Sequence, residues 1–339
     1  MPVALLLGVG FAVRALSQLA AIEEPALRLE LDASAALLFC LGFAYALQSL
    51  FSGRYPIRLH LGAAGLFAGE ALVGLAGRTP IGLALCVAGA GLVMVAIGQV
   101  ARRDAAGFER ATLLVSAIGP GLFALHAFAF PASGDLVQAR FLRLGATAAI
   151  ALPLLATLYR LDHMGDAARG TRVARALLGI GMIAMPLALV LSAFVDERLK
   201  YALAPASDCL TVALIIACVQ AWRSKRFGSF AGYATVLASM LLGKLMGFYA
   251  FDGPVSAPAA LAAYGDAWRV SLRDFHIDAM VIGYTFLLWP ALVRPRVAGV
   301  AGVALTLGLT TPAMGPWSRL AGLAVVLWVL TFWRGRATP

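Results

Sequence analysis

The sequence predicts an all-α protein that crosses a membrane many times. Hydrophobic residues make up 61% of the 339-residue chain and charged residues only 13%, whereas a soluble protein carries about 25% charged residues. The apolar residues also fall into runs of about 20, the length that a helix needs to cross a bilayer. Because a spanning helix satisfies its own backbone hydrogen bonds in lipid, such runs predict a polytopic transmembrane helical bundle.

Twelve apolar segments follow one another along the chain, separated by short polar connections. They cover residues 2–22, 32–51, 57–76, 80–100, 111–131, 141–160, 173–195, 201–222, 229–251, 272–293, 297–314 and 317–333. Several segments contain a proline that predicts a kink, namely Pro120, Pro153, Pro186, Pro290 and Pro312. Gly-x-x-x-Gly spacings, such as Gly65–Gly69 and Gly243–Gly247, indicate close packing of helices.

The basic residues predict an orientation. With the N-terminus inside, the inside loops hold 16 of the 27 Lys and Arg residues, as cytoplasmic loops do. Twelve spans then place both termini on the cytoplasmic side of the membrane. We expect a single transmembrane domain over 1–339, in which a cytoplasmic loop at 161–172 joins two halves, 1–160 and 173–339. A faint likeness between the openings of the halves, G-V-G-F-A-V and G-I-G-M-I-A, favours this division.

Composition and motifs argue against several function classes. The net charge of +10 is explained by the inside loops, and no basic run has the aromatic residues that nucleic-acid binding needs, so the bilayer is the expected partner. The sequence contains no P-loop, no H-E-x-x-H and no nucleophile elbow. Its four cysteines lie in apolar segments without C-x-x-C spacing, which favours neither a disulfide framework nor a zinc site.

Charged residues inside the predicted spans are the strongest functional signal, because a charge in the membrane is costly. Most of them share the half of the bundle predicted to face outward. This polar cluster comprises Asp32, Asp208, Lys244, Arg273, Asp274 and Asp278. Two interpretations stay open. The residues form one polar or cofactor site, or they form local pairs, such as Asp208 with Lys244 on adjacent spans.

Two histidines lie at a similar predicted depth, His276 in span ten and His126 in span five. A neutral imidazole can ligate haem iron, so both are candidate cofactor ligands, with hydrogen-bonded structural histidines as the alternative. A copper site like that of the respiratory oxidases needs about three histidines, and this half of the bundle offers two. We therefore expect no copper and no further metal site.

Several segments resemble the NnrS family, twelve-span bacterial haem–copper membrane proteins linked to the response to nitric oxide. Span five ends L-F-A-L-H-A-F, like the family's apolar span that ends in histidine. Span eight ends V-Q-A-W-R-S-K-R, like its R-x-x-R-W-R exit, and span ten offers His276 and Gly283 as counterparts of L-H-A-L-T-V-G-A. The family's span-two motif H-A-H-E-M-L-F-G-F is replaced by D-A-S-A-A-L-L-F-C-L-G-F, which lacks both histidines. The resemblance therefore implies a haem ligand at His276, with His126 second, and the loss of a span-two metal site.

Three functions are consistent with these features. The first is an NnrS-like role in nitrosative stress or in support of respiratory enzymes. The second is a proton- or ion-coupled secondary transporter, which the intramembrane charges Asp208, Lys244 and Arg14 favour. The third is a non-catalytic subunit that contacts other membrane subunits through outer-face charges. The sequence does not decide whether the protein is an enzyme.

Overall fold

A computed structural model describes residues 2–20, 25–130, 137–164, 166, 168–249 and 267–310. Over these residues the chain is all-α, as the sequence predicts. The helices are α1 (Pro2–Ala20), α2 (Pro25–Ser52), α3 (Ile57–Ala76), α4 (Pro80–Arg103), α5 (Gly107–Ala129), α6 (Val137–Asp162), α7 (Arg169–Phe194), α8 (Leu203–Arg223), α9 (Phe227–Tyr249), α10 (Ala267–Leu288) and α11 (Pro295–Thr310). Short 3₁₀ helices occupy Glu197–Ala202 and Pro290–Leu292.

Seven helices in the described part of the chain are long and apolar enough to cross a membrane, namely α2 to α8. The apolar stretches Pro2–Ser17 of α1 and His276–Leu288 of α10 are shorter. All of predicted span twelve and the end of span eleven lie outside the described residues. The fold is therefore a multi-pass membrane bundle, while the count of twelve spans and the location of the termini stay predictions.

Two helix ends differ from the sequence prediction. Helix α2 begins at Pro25, seven residues before Asp32, because Pro is well suited to the first helical position. Helix α10 ends at Leu288, before the predicted end of span ten at residue 293, and Pro290 begins a 3₁₀ turn. Pro290 has no backbone N–H and its ring would clash with the preceding turn, so it ends the helix here instead of kinking it.

Helices that follow one another in sequence pack side by side, because connections of a few residues leave antiparallel neighbours as the short solution. Helices α3 and α4 approach each other closely, because glycines replace larger side chains between them. A Cβ on Gly89 would lie 2.2 Å from the backbone nitrogen of Leu66, and one on Gly69 would lie 2.5 Å from that of Cys86. The predicted glycine-mediated packing is thus present in this pair of helices.

Helices α2 and α6 lie at the centre of the bundle. In the most apolar stretch of each helix, 72% of the residues are buried in α2 and 78% in α6, compared with 33% in α3. Helix α10 joins them, since the Tyr284 hydroxyl donates to the Ala151 carbonyl of α6 at 2.6 Å and its ring lies 4.7 Å from that of Phe43 in α2. The segment of α10 that carries the predicted site residues therefore continues a helix that packs in the core.

Candidate functional site

The centre of the candidate site is a buried ion cluster between α1, α2 and α10. The Arg14 guanidinium donates through Nε to Oδ1 of Asp278 at 2.8 Å and through Nη1 to Oδ1 of Asp32 at 3.4 Å. Ser17, one turn after Arg14, donates to the same Asp32 oxygen at 2.7 Å. Arg14 is 1% exposed and Asp278 is 0% exposed. Arg14 thus lies between two carboxylates contributed by two other helices.

Burial of this kind requires pairing. Moving an ion into a low-dielectric interior costs several kcal/mol, and mutual attraction offsets this only when geometry and hydrogen bonding are good. Local pairing was one of the two interpretations left open for these charges, and in the structure Asp278 pairs with Arg14. Arg14 was recognised as an intramembrane charge in span one, but not as a member of the site.

His276 is held by a single residue of α9. Its Nδ1 lies 2.6 Å from the Ser239 carbonyl oxygen, and the Ser239 hydroxyl donates to the His276 carbonyl at 2.8 Å. A carbonyl only accepts, so this contact assigns the proton of the neutral ring to Nδ1. The lone pair of Nε2 is left on the other side of the imidazole.

Gly243 makes this arrangement sterically feasible. A Cβ at Gly243 would lie 2.9 Å from Cε1 of His276, so any larger residue would displace the ring or the helix. Gly243 belongs to the Gly243–Gly247 spacing that predicted close helix packing, and its effect is seen here as an imidazole lying against the backbone of α9. Ser239 and Gly243 are one helical turn apart, so both face α10.

His126 has a different environment. It is 4% exposed, and its Nε2 lies 3.3 Å from Nη2 of Arg143 on the neighbouring helix α6. A guanidinium only donates, so Nε2 of His126 is the acceptor in this contact. The nitrogen that could ligate a metal is therefore occupied by a cation in this arrangement, which distinguishes His126 from His276.

The remaining predicted residues form a separate pair or lie outside the described side chains. Lys244 of α9 forms an ion pair with Oδ1 of Asp208 on α8, as their positions on adjacent spans predicted. The Asp208 side chain is 66% exposed, so this pair lies at the periphery. Arg273 and Asp274 are in α10, but their side chains lie outside the described residues. Among described residues no three His, Cys, Asp or Glu side chains form a metal-binding group.

A second polar network, which the sequence did not single out, lies where α6 ends and α9 begins. Arg226 contacts Asp162 at 2.7 Å and Nε2 of His163 at 2.9 Å, and the Tyr233 hydroxyl donates to Asp162 at 3.1 Å. The His163 ring stacks on Tyr159, with centroids 4.4 Å apart. Burial, with the nearby Arg226 cation, lowers the pKa of His163 below its ordinary value.

The turn that follows orders the start of α7. Asp166 accepts from the Thr171 hydroxyl at 2.6 Å and from the backbone N–H of Ala168 at 2.9 Å, and these hydrogen bonds lower the pKa of its carboxyl. The pattern D-x-x-x-x-T between two apolar runs is a signal that could have indicated this capped turn. The network fixes the ends of three helices, α6, α7 and α9, and has the geometry of a structural support.

No protein-family model, curated protein or solved structure matches the chain.

Proposed function

We propose that this is an NnrS-like multi-pass protein of the bacterial inner membrane that binds haem through Nε2 of His276. The role would be in the response to nitric oxide or in support of respiratory enzymes. The observation that supports this proposal is the 2.6 Å contact from Nδ1 of His276 to the Ser239 carbonyl. Metal-ligating histidines almost always donate their other ring N–H to a carbonyl, a carboxylate or water, which fixes the tautomer and orients the ring.

The residues present fit a single histidine ligand to haem iron, which His276 would provide. His276 offers a neutral imidazole with a defined tautomer, and Gly243 removes the Cβ that would fill the space beside the ring. His126 does not match it as a second ligand, because its Nε2 accepts from Arg143. A haem held here would supply redox chemistry and a site for a diatomic gas. The chain contributes the ligand, its orientation by Ser239 and the apolar surroundings of α9 and α10.

The test is the absorption spectrum of the purified full-length protein. We expect a Soret band with about one iron per chain, and we expect His276→Ala to remove both. Gly243→Leu keeps His276 in the chain but should weaken the Soret band, because the added side chain displaces the imidazole. His60→Ala is the matched control, since His60 is an exposed histidine on α3 that contacts Tyr45. A colourless, iron-free protein expressed in haem-replete cells would overturn the proposal.

A secondary transporter coupled to protons or ions is the second candidate. The observation that favours it is the ion cluster of Arg14, Asp32 and Asp278, whose contacts join α1, α2 and α10 inside the bundle. Buried ionisable residues facing a bundle interior are a common feature of proton and ion pathways. Proteoliposomes should then show solute uptake that requires an ion gradient and that is lost in Asp278→Asn. Absence of uptake over a broad solute panel would contradict this alternative.

A further inference from the structure

A groove on the surface of the bundle lies between α5 and α7, with the end of α6 at its floor. Its volume is about 730 Å³, and its apolar lining includes Phe108, Gly179, Met182 and Ile183. We call it the α5–α7 groove. Ile183 is 51% exposed, so the groove presents apolar surface outward. Gly179 deepens it, since a Cβ there would lie 3.2 Å from the Phe108 ring.

Two arginines, Arg160 and Arg175, line the same groove. Arg160 contacts the Glu109 carboxylate at 3.0 Å, with both side chains about one-third exposed. Arg175 donates through Nη2 to the His163 carbonyl at 2.6 Å, which is not an anion. Among the described residues, the groove lining holds two guanidiniums and no carboxylate, since Glu109, which pairs with Arg160, and Asp166, which lies near Arg175, are outside the lining.

Arg175 carries a second indication of a ligand. Its Nε is buried and has no hydrogen-bond partner among the residues that the structure describes. A buried N–H on a charged group without an acceptor is destabilising. An anionic oxygen in the groove would turn the Arg175 guanidinium toward it and supply that acceptor through a charge-assisted hydrogen bond.

Along the axis of α7, the charged end of the groove comes first and the apolar part follows. Ile183 lies eight residues beyond Arg175 in α7, which is about 12 Å at the helical rise. The groove therefore runs from a cationic end, near the start of α7, into the apolar part of a membrane-length helix. An anionic head followed by a hydrocarbon chain matches this order, whereas a soluble anion would leave the apolar part unused.

We propose that the α5–α7 groove is a binding site for an anionic phospholipid. Its phosphate contacts Arg175 and Arg160, and an acyl chain lies along Phe108, Gly179 and Ile183. Charge complementarity selects the anionic class, since the headgroup of a zwitterionic lipid carries no net charge to balance the arginines. The positive charge also lies on the side of the membrane that the loop pattern predicts to be cytoplasmic.

The experiment uses the full-length protein, purified and delipidated in detergent. Phosphatidylglycerol, phosphatidylcholine with the same chains, and inorganic phosphate are titrated in turn. Bound lipid is counted by native mass spectrometry, and the midpoint of thermal unfolding is followed in parallel. We expect one tightly retained phosphatidylglycerol, at least tenfold weaker retention of phosphatidylcholine, and no stabilisation by phosphate, because removing one charged hydrogen-bond partner changes affinity by about tenfold or more.

Two variants locate the site. Arg175→Gln should weaken phosphatidylglycerol binding about tenfold, while Arg103→Gln, an exposed arginine at the end of α4, should leave binding unchanged. Ala176→Phe fills the groove without removing a charge and should also displace the lipid. Ala88→Phe is its control, placed at an exposed alanine of α4.

Three results would overturn the proposal. One is equal retention of the two lipids. Another is stabilisation by inorganic phosphate alone, which would indicate a site for a free anion. The third is unchanged phosphatidylglycerol affinity in Ala176→Phe, a variant that stays informative even if Arg175→Gln fails to fold.

Discussion

The buried pair of Arg14 and Asp278 gives the sharpest stability prediction. Asp278→Asn preserves the shape of the side chain and removes its charge, so the guanidinium stays in the core without its closest carboxylate, which lies 2.8 Å away. Breaking a buried ion pair from one side costs about 3–5 kcal/mol. Asp32 still contacts Arg14, but at 3.4 Å, so the expected loss lies near the lower end, at about 3 kcal/mol.

Removing both partners should recover much of that loss. Replacing a buried pair by apolar residues of similar volume is often neutral, since the desolvation cost disappears together with the attraction. We therefore expect the triple variant Arg14→Met, Asp278→Leu and Asp32→Asn, which also removes the second carboxylate beside Arg14, to be more stable than Asp278→Asn alone. In a double-mutant cycle on Arg14 and Asp278, the coupling energy should exceed about 2 kcal/mol, in the range found for residues of one ionic network.

The assay is reversible unfolding of the purified protein in mixed micelles with increasing SDS. Asp208→Asn is the control, because the Asp208 side chain is 66% exposed and exposed ion pairs contribute about 0–1 kcal/mol. A loss below about 1 kcal/mol for Asp278→Asn, or an equal loss for the two variants, would refute the claim that burial makes the Arg14 cluster energetically important.

Three further predictions test other contacts. The pKa of His163 in the folded protein lies below its ordinary value of 6.5, so on acidification the unfolded chain binds a proton at His163 before the folded protein does. The free energy of unfolding should therefore fall as pH drops through about 6.5, and His163→Gln should flatten that part of a pH–stability curve. Gly89→Ala should lose about 1–3 kcal/mol in the same unfolding assay, because its Cβ would overlap α3, while Gly91→Ala, with open space around it, should lose nothing. Tyr284→Phe should cost about 0.5–1.5 kcal/mol, because one hydrogen bond to the Ala151 carbonyl is lost while that carbonyl stays within the α6 helix; an unchanged midpoint would contradict this.

The sequence predicted the helices more completely than it predicted the partners of the polar residues. Depth follows from the rise of 1.5 Å per residue once the direction of each span is assumed. Lys244 and Asp208 could be paired in this way because their helices are neighbours in the chain. Arg14 and Asp278 are 264 residues apart, and only the packing of α1 against α10 brings them together.

Hydrogen bonds between helices were beyond the reach of sequence patterns. Ser239 is one of several serines in apolar helices, and nothing in its spacing indicates that its carbonyl accepts from His276. The network around Asp162 and Arg226 was overlooked for a related reason. Those residues lie at helix ends, where charges are expected to be solvated, and their mutual contacts depend on three helices that end at one level.

The two leading functional hypotheses depend on neighbouring positions of one helix, and the helix geometry makes them separable. His276 and Asp278 are two residues apart in α10, which rotates them by about 200° around its axis. His276 accordingly meets α9, and Asp278 meets α1. If His276 binds haem, Asp278→Asn should keep the Soret band while destabilising the fold. If Asp278 belongs to an ion pathway instead, His276→Ala should keep ion-coupled uptake. Loss of both properties in each single variant would mean that the two faces of α10 form one site, and the present assignment of two separate roles would be wrong.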